Sequence, residues 1–220
     1  MDESVGHRVA VISRPIDRAH PPAREPTLFE SASIDAWPLL LSLSGIAVPG
    51  SFVWGLRGHF VGDKTPGAVH LINALSLTAV AVFLFAVWKT HVPDWQRAAG
   101  FSLHLSAIVL FGSAILTTRR KRPALAFAGN RPDHVFSSGP YAYIRHPFYT
   151  SYLLFWLGCT VATSSPILLI LFLALATLYT TAALGEERGF SHSALHDEYK
   201  AYRKRTGFFW PKLRLAQRQL

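Results

Sequence analysis

The sequence predicts an all-α integral membrane protein of about five transmembrane helices, including a C-terminal helical hairpin, followed by a cytoplasmic amphipathic helix. Three observations predict this. Half of the 220 residues are apolar although 22 are Lys or Arg, so the apolar residues must be gathered into blocks. Three blocks, 37–56, 68–88 and 98–118, contain no Asp, Glu, Lys or Arg, and roughly 20 residues of helix cross a hydrocarbon core. A fourth uncharged block, 147–184, is too long for one crossing and is interrupted by Ser164-Ser165-Pro166. A soluble chain this short has no outer layer to cover such helices.

The elements follow in order. Residues 1–35 are polar, with prolines at 15, 21, 22 and 26, and read as a flexible tail. No short apolar segment with a basic flank and cleavage site precedes it, so no removable signal peptide is expected. Residues 36–118 hold three membrane helices. Residues 119–220 form a third region: a basic loop, the hairpin and an interfacial helix. Pro lacks an amide donor and biases its predecessor away from helix. The hairpin therefore splits into 147–163 and 166–184. Beyond it, Leu195, Tyr199 and Tyr202 fall at i, i+4 and i+7, on one face of a helix whose other faces carry Lys200, Arg203 and Lys204. Such a helix lies on a membrane surface.

Orientation follows from Lys and Arg. With five crossings, the first loop, the third loop and the C-terminal segment share one side with sixteen of these residues, against six on the other. The basic side is expected in the cytoplasm; in a bacterium the membrane would be the inner one. The net charge of +9 is accounted for by basic segments facing anionic lipid, so no nucleic-acid partner is expected. The sequence contains no Gly-rich phosphate loop and no His pair at metal spacing, so no metal is expected either. Cys159 reads as a small packing residue. His104, inside the third span, reads as a neutral, hydrogen-bonded imidazole.

The chemistry concentrates at two places. Residues 134–149 read His-Val-Phe-Ser-Ser-Gly-Pro-Tyr-Ala-Tyr-Ile-Arg-His-Pro-Phe-Tyr. Pro147 suits the first position of a helix. Arg145 and His146 then stand at a helix N-terminus, where free amides favour an anion and a guanidinium fork matches a carboxylate. Residues 185–188 read Gly-Glu-Glu-Arg directly after the last span. Equal hairpin arms put Arg145, His146 and Tyr149 level with Glu186 and Glu187. An interfacial salt bridge with an aromatic belt is the simpler explanation of such a cluster.

Residues 138–149 resemble the Gly-x-Tyr-x-x-x-Arg-His-Pro-x-Tyr signature of the isoprenylcysteine carboxyl methyltransferase and phospholipid methyltransferase superfamily. His134, eleven residues before Arg145, is similar to a His that precedes that signature. Glu186-Glu187 resembles its paired acids, and Tyr199-x-x-Tyr202-x-x-Arg205 with Pro211 its ending. The likeness runs from 119 to 213; Ser151 departs from it, where many relatives have Gly. The resemblance implies a membrane-embedded S-adenosylmethionine site contacted by His134, Tyr141, His146, Pro147, Tyr149, Glu186 and Glu187. It implies catalytic roles for Arg145 and Arg205 towards a lipid or other lipophilic acceptor: an isoprenylcysteine-type carboxylate, a phospholipid amine or a small thiol. The cofactor itself supplies an activated methyl group, so the protein has mainly to align and exclude water. An NADPH-dependent enzyme like the membrane sterol reductases, which share a related Arg-His-Pro-x-Tyr segment, is the rival. A non-catalytic membrane protein on the same fold is the third possibility.

Overall fold

A computed structural model of the chain describes residues 35–59, 67–121 and 134–212. The chain divides into two units, Met1–Asp35 and Ala36–Leu220, and all the helices described here belong to the second. Apart from Asp35, the expected tail lies outside the described residues. Among the described residues there are six α-helices, α1 Trp37–Gly58, α2 Gly67–Lys89, α3 Asp94–Thr118, α4 Pro147–Thr163, α5 Pro166–Ser191 and α6 His196–Arg205, and one 3₁₀ turn at Gly139–Ala142 before α4. Among the described residues there is no strand, only an isolated parallel bridge between Ile144 and Gly207.

Helices α1, α2, α3 and α5 are long and apolar enough to cross a membrane. Their outward faces carry bare Leu, Ile, Val, Phe and Trp side chains, such as Leu77, Phe85, Val109 and Ile170, as expected where lipid is the solvent. Helix α4 differs. It has only 17 residues, about 26 Å at 1.5 Å per residue. Most of its side chains are buried, because it packs against α1, α2, α3 and α5 alike. The short arm of the hairpin is thus the centre of the bundle, and the five-crossing count rests on it.

Its closest partner is α3, which runs antiparallel to it. A Cβ on Gly100 would stand 2.5 Å from Ala162 Cβ and 2.7 Å from the Gly158 carbonyl oxygen; one on Gly158 would stand 2.6 Å from the His104 ring. Small residues let membrane helices approach to backbone contact, and here they do so on both partners. Nearer the other end, Phe52, Phe111, Phe148 and Tyr152 fill the space between α1, α3 and α4, with ring centroids 4.7 to 6.2 Å apart.

His104 is fully buried in this seam. The Ser44 hydroxyl donates to the Leu41 carbonyl at 3.1 Å and lies 2.9 Å from His104 Nδ1. With its single proton committed to Leu41, Ser44 accepts from Nδ1–H. Nε2 then faces the Cys159 thiol at 3.5 Å. Both ring nitrogens are used and the imidazole is neutral in that arrangement, an assignment that follows from the hydrogen-bond network. Cys159 is a buried packing residue that also touches this histidine.

The hairpin turn falls where the prolines place it. Ser164 takes up a left-handed conformation, φ 51°, and the Ser165 side chain accepts from the Leu168 amide at the start of α5. Gln96 on α3 braces the turn by donating to the Val161 carbonyl at 2.8 Å and to the Ser164 hydroxyl. Two features differ from the sequence expectation, a helix end and the cover of a helix face. Helix α5 continues past residue 184 to Ser191, so the Glu pair lies within its last turns. Glu and Arg are good helix formers, and no proline stops the helix there. The Tyr face of α6 is covered by protein: Tyr199 stacks on Phe190 at 4.1 Å, and both tyrosines of α6 pack with Val135. The period gave the face but not what covers it.

Candidate active site

The site is built where the start of α4 meets the end of α5, and backbone geometry fixes it first. After the 3₁₀ turn, residues 143–145 lie beside residues 206–207. The Gly207 amide donates to the Tyr143 carbonyl at 2.9 Å, and the Arg145 amide donates to the Gly207 carbonyl at 2.8 Å. The chain after α6 therefore folds back as a strap over the start of α4. Gly207 is required there, because a Cβ would overlap the Trp210 carbonyl. The Tyr202 hydroxyl donates to the Tyr141 carbonyl at 2.8 Å and ties α6 to the same turn.

Within this frame the charges converge. Arg145 Nε donates to Glu187 Oε1 at 2.7 Å and Nη1 donates to the Thr206 carbonyl at 2.7 Å; its guanidinium lies 5.4 Å from the Phe208 ring centre. His146 Nε2 stands 3.3 Å from Glu187 Oε1, and Nδ1 stands 3.7 Å from Glu186 Oε2. Arg203 Nε reaches Glu187 Oε2 at 3.5 Å. The Tyr149 hydroxyl donates to Glu186 Oε1 at 2.6 Å. The two acids are not equivalent. Glu187 is 7% exposed and faces two guanidiniums and an imidazole; Glu186 is 40% exposed and opens outward.

Burial disfavours a charged His146, but hydrogen bonds and charge from Glu186 and Glu187 outweigh it and raise its pKa above 6.5. Tyr141 is a neutral donor: burial, then the neighbouring Glu186, Tyr202 and Tyr152, hold its phenol well above the usual range. The aromatic wall of the site comes from Phe208 and Phe209, whose rings sit 4.8 and 6.2 Å from the His146 ring. Phe208 and Phe209 are half-buried, whereas the next residue, Trp210, is exposed.

The structure brings together Arg145, His146, Tyr149, Glu186 and Glu187, with Tyr141 buried beside them and Pro147 opening α4. It does not bring Arg205 or His134 into that cluster. Arg205 is exposed, its guanidinium 6.0 Å over the Tyr202 ring. His134 packs edge-on against Phe136 and lines a separate pocket at the end of α3. Sequence reasoning missed Arg203 as the α6 cation that meets Glu187. The helical period placed it off the Tyr face, and only the docking of α6 reveals its partner. Among the described residues no group of three His, Cys, Asp or Glu side chains is placed to hold a metal ion.

Residues 95–194 match the family model of phospholipid methyltransferases. That span holds the Arg-His-Pro segment and both acids of the cluster. A protein-S-isoprenylcysteine O-methyltransferase of Schizosaccharomyces pombe is 26% identical over 141 residues, covering 62% of this chain and 55% of the relative. Over residues 95–194 the chain is thus similar to the phospholipid methyltransferases, and more distantly to that isoprenylcysteine O-methyltransferase. Two bacterial relatives are nearer in sequence. A cobalt-zinc-cadmium resistance protein of Cupriavidus metallidurans is 35% identical over 50% of this chain and 51% of the relative. A nickel-cobalt-cadmium resistance protein of Alcaligenes xylosoxydans xylosoxydans is 30% identical over 62% of each. The chain therefore spans only about half to three fifths of these relatives. No solved structure matches it. In superfamily terms, α6 and the strap lie beyond the matched residues, yet they close the cluster.

Proposed function

We propose that the chain is a membrane-embedded methyltransferase that moves the methyl group of S-adenosylmethionine to a lipophilic acceptor. The observation that carries this is the joined cluster Arg145–His146–Tyr149–Glu186–Glu187 inside the family-matched span, closed by a strap from the C-terminal side. The residues fit a cationic cofactor. Glu186 is a half-open carboxylate with lone pairs beyond the one used by Tyr149, and carboxylates attract a sulfonium or ammonium group. Phe208 and Phe209 offer aromatic faces that favour cations. The cofactor, when bound, supplies the activated methyl.

The chain's own residues divide the remaining work. Glu186 and Tyr149 bind, with Tyr141, His146 and Pro147 forming the wall behind them. Glu187 organises: it holds Arg145, His146 and Arg203 in place. A bidentate grip on a carboxylate takes two adjacent guanidinium nitrogens. Arg145 already spends Nε on Glu187 and Nη1 on Thr206, so it acts first as a positioning residue. Its Nη2 hydrogens are not used by either bond and can reach an acceptor or cofactor carboxylate. His134 and Arg205 contribute from the margins. Glu186 and Glu187 raise the His146 pKa, so at a given pH more of it already holds a proton than a free imidazole would; an already anionic acceptor needs no base. Carboxylates, phospholipid amines and small thiols all remain acceptor classes for this site, and the basic end of the bundle faces the cytoplasm.

The test is direct. Detergent-purified protein is incubated with lipid extract and methyl-deuterated S-adenosylmethionine, and the extract is searched by mass spectrometry for species heavier by one labelled methyl. Labelled lipid in the wild type and none in Glu186→Gln supports the reading. No labelled species, together with saturable NADPH binding, replaces it with the reductase alternative.

A further inference from the structure

Thr150 lies one turn after His146 on α4 and is 4% exposed. Its hydroxyl stands 3.0 Å from the His146 carbonyl and 3.2 Å from the Phe209 carbonyl. One proton is thus shared between two acceptors. The first is four residues back in the same helix, and the second is 59 residues on, in the strap. Helical threonines commonly bond back to the carbonyl four residues earlier. Thr160, Thr163, Thr177 and Thr180 do so at 2.7 to 3.0 Å, and among the described residues their hydroxyls donate to that carbonyl alone. Such a bond serves only the helix that makes it. The second acceptor of Thr150 joins α4 to a segment from the other end of the catalytic region.

The place of that join matters. Hydrogen bonds hold the strap from both ends: Gly207 pairs with residues 143 and 145, and Lys212 Nζ donates to the Arg203 and Lys204 carbonyls at 2.8 and 3.0 Å. Between them stand Phe208 and Phe209, with ring centres 4.8 and 6.2 Å from the His146 ring. Thr150 grips the backbone at this point. Aromatic side chains on a loop keep one geometry only when the shell behind them is fixed, and a buried hydroxyl on a packed helix supplies a fixed point.

We infer that Thr150 is a positioning residue of the site: its hydroxyl pins the strap at Phe209 so that Phe208 and Phe209 stand closed over His146, and through them it sets the affinity for S-adenosylmethionine. The effect on affinity rests on the function proposed above; the anchor itself does not.

The experiment compares variants of the full chain in detergent with the wild type. Thr150→Val keeps the branched shape and loses the hydroxyl, with Thr150→Ala in its place should the valine variant not fold. Thr150→Ser keeps the hydroxyl. Thr160→Val removes a back-bond of α4 that has no acceptor in the strap. Hydrogen exchange is read without cofactor at the Gly207 amide, which donates to Tyr143, and at the Arg145 amide, which donates to Gly207. S-adenosylmethionine affinity is read by titration. Thr150→Val should speed exchange at both amides and weaken the cofactor by about three- to tenfold, the scale of one net hydrogen bond. Thr150→Ser should restore both readings, and Thr160→Val should leave both as in the wild type. Unchanged exchange in Thr150→Val, or equal acceleration in Thr160→Val, overturns the anchor. Faster exchange with unchanged cofactor affinity overturns the positioning role. Equal loss in Thr150→Ser assigns the effect to the packing of the methyl group and overturns the hydroxyl's part. A wild type that binds no S-adenosylmethionine refutes the function proposed above, and the exchange comparison still decides the anchor.

Discussion

Arg145 Nε and Glu187 Oε1 stand 2.7 Å apart, both side chains less than a tenth exposed, and between them they join the first residues before α4 to the last turns of α5. Arg145→Lys keeps the charge and loses the planar fork, so the hydrogen bond to Thr206 cannot be kept together with the one to Glu187. Turnover should fall by about tenfold or more, each factor of ten being about 1.4 kcal/mol of barrier, with the protein still folded and inserted. If cofactor affinity falls as well, Arg145 serves the cofactor carboxylate; if it holds, the acceptor side is affected. Full activity at saturating and limiting substrate would remove the guanidinium from the mechanism.

The two adjacent acids should separate cleanly. Glu186→Gln should weaken S-adenosylmethionine binding by about 1 to 3 kcal/mol, the range of a charge-assisted contact, with little change in thermal stability. Glu187→Gln should lower the melting temperature, because two guanidiniums and an imidazole lose a buried counterion. Isothermal titration and a thermal ramp on both variants give the answer. The reverse pattern would exchange the assigned roles.

The pH dependence follows from His146, whose folded pKa is raised. A group raised on folding stabilises fully below its unfolded pKa, near 6.5, and that contribution is lost as pH rises through the folded value. The stability gap between wild type and His146→Gln should therefore be widest in mild acid and shrink as pH rises above 6.5. Melting curves across that range test it, and a gap that grows with pH would contradict the sign.

Helix contact predicts its own defect. Gly100→Val places branched carbons where even a Cβ stands 2.5 Å from Ala162 Cβ, so α3 and α4 must move apart. Overpacking of this kind costs about 1 to 3 kcal/mol. A melting temperature equal to wild type would mean that the two helices are not in backbone contact.

We propose, on its Lys and Arg excess, that the basic end of the bundle faces the cytoplasm. A reporter fused after Leu220 should be active on the cytoplasmic side only. Activity on the outer side alone would reverse the orientation and the five-crossing count with it.

Much of this arrangement was legible in residue order. Pro147 and Pro166 marked both hairpin starts because proline suits the first turn of a helix. Equal arms then put Glu186 and Glu187 level with Arg145. The central burial of α4 was not legible, since a short uncharged run reads the same whether lipid or protein surrounds it. Arg203 was hidden for a related reason: periodicity gives the face of a helix but not the neighbour it meets. The strap at 206–209 has no periodicity at all, and only Gly207, squeezed against the Trp210 carbonyl, carries a local signature of the fold-back.

That strap follows α1 to α5 in chain order, and this has a consequence for biogenesis. Insertion of α1 to α5 can bring Arg145 beside Glu187, but the Thr206 carbonyl, the Gly207 pairing and the Phe208 ring arrive only when the segment beyond α6 has emerged and folded back. Completion of the cluster thus waits on the segment beyond α6. A nascent chain with α1 to α5 inserted would still be an open vessel: Arg145 and Glu187 could meet, but without the Thr206 carbonyl and the aromatic cover of Phe208.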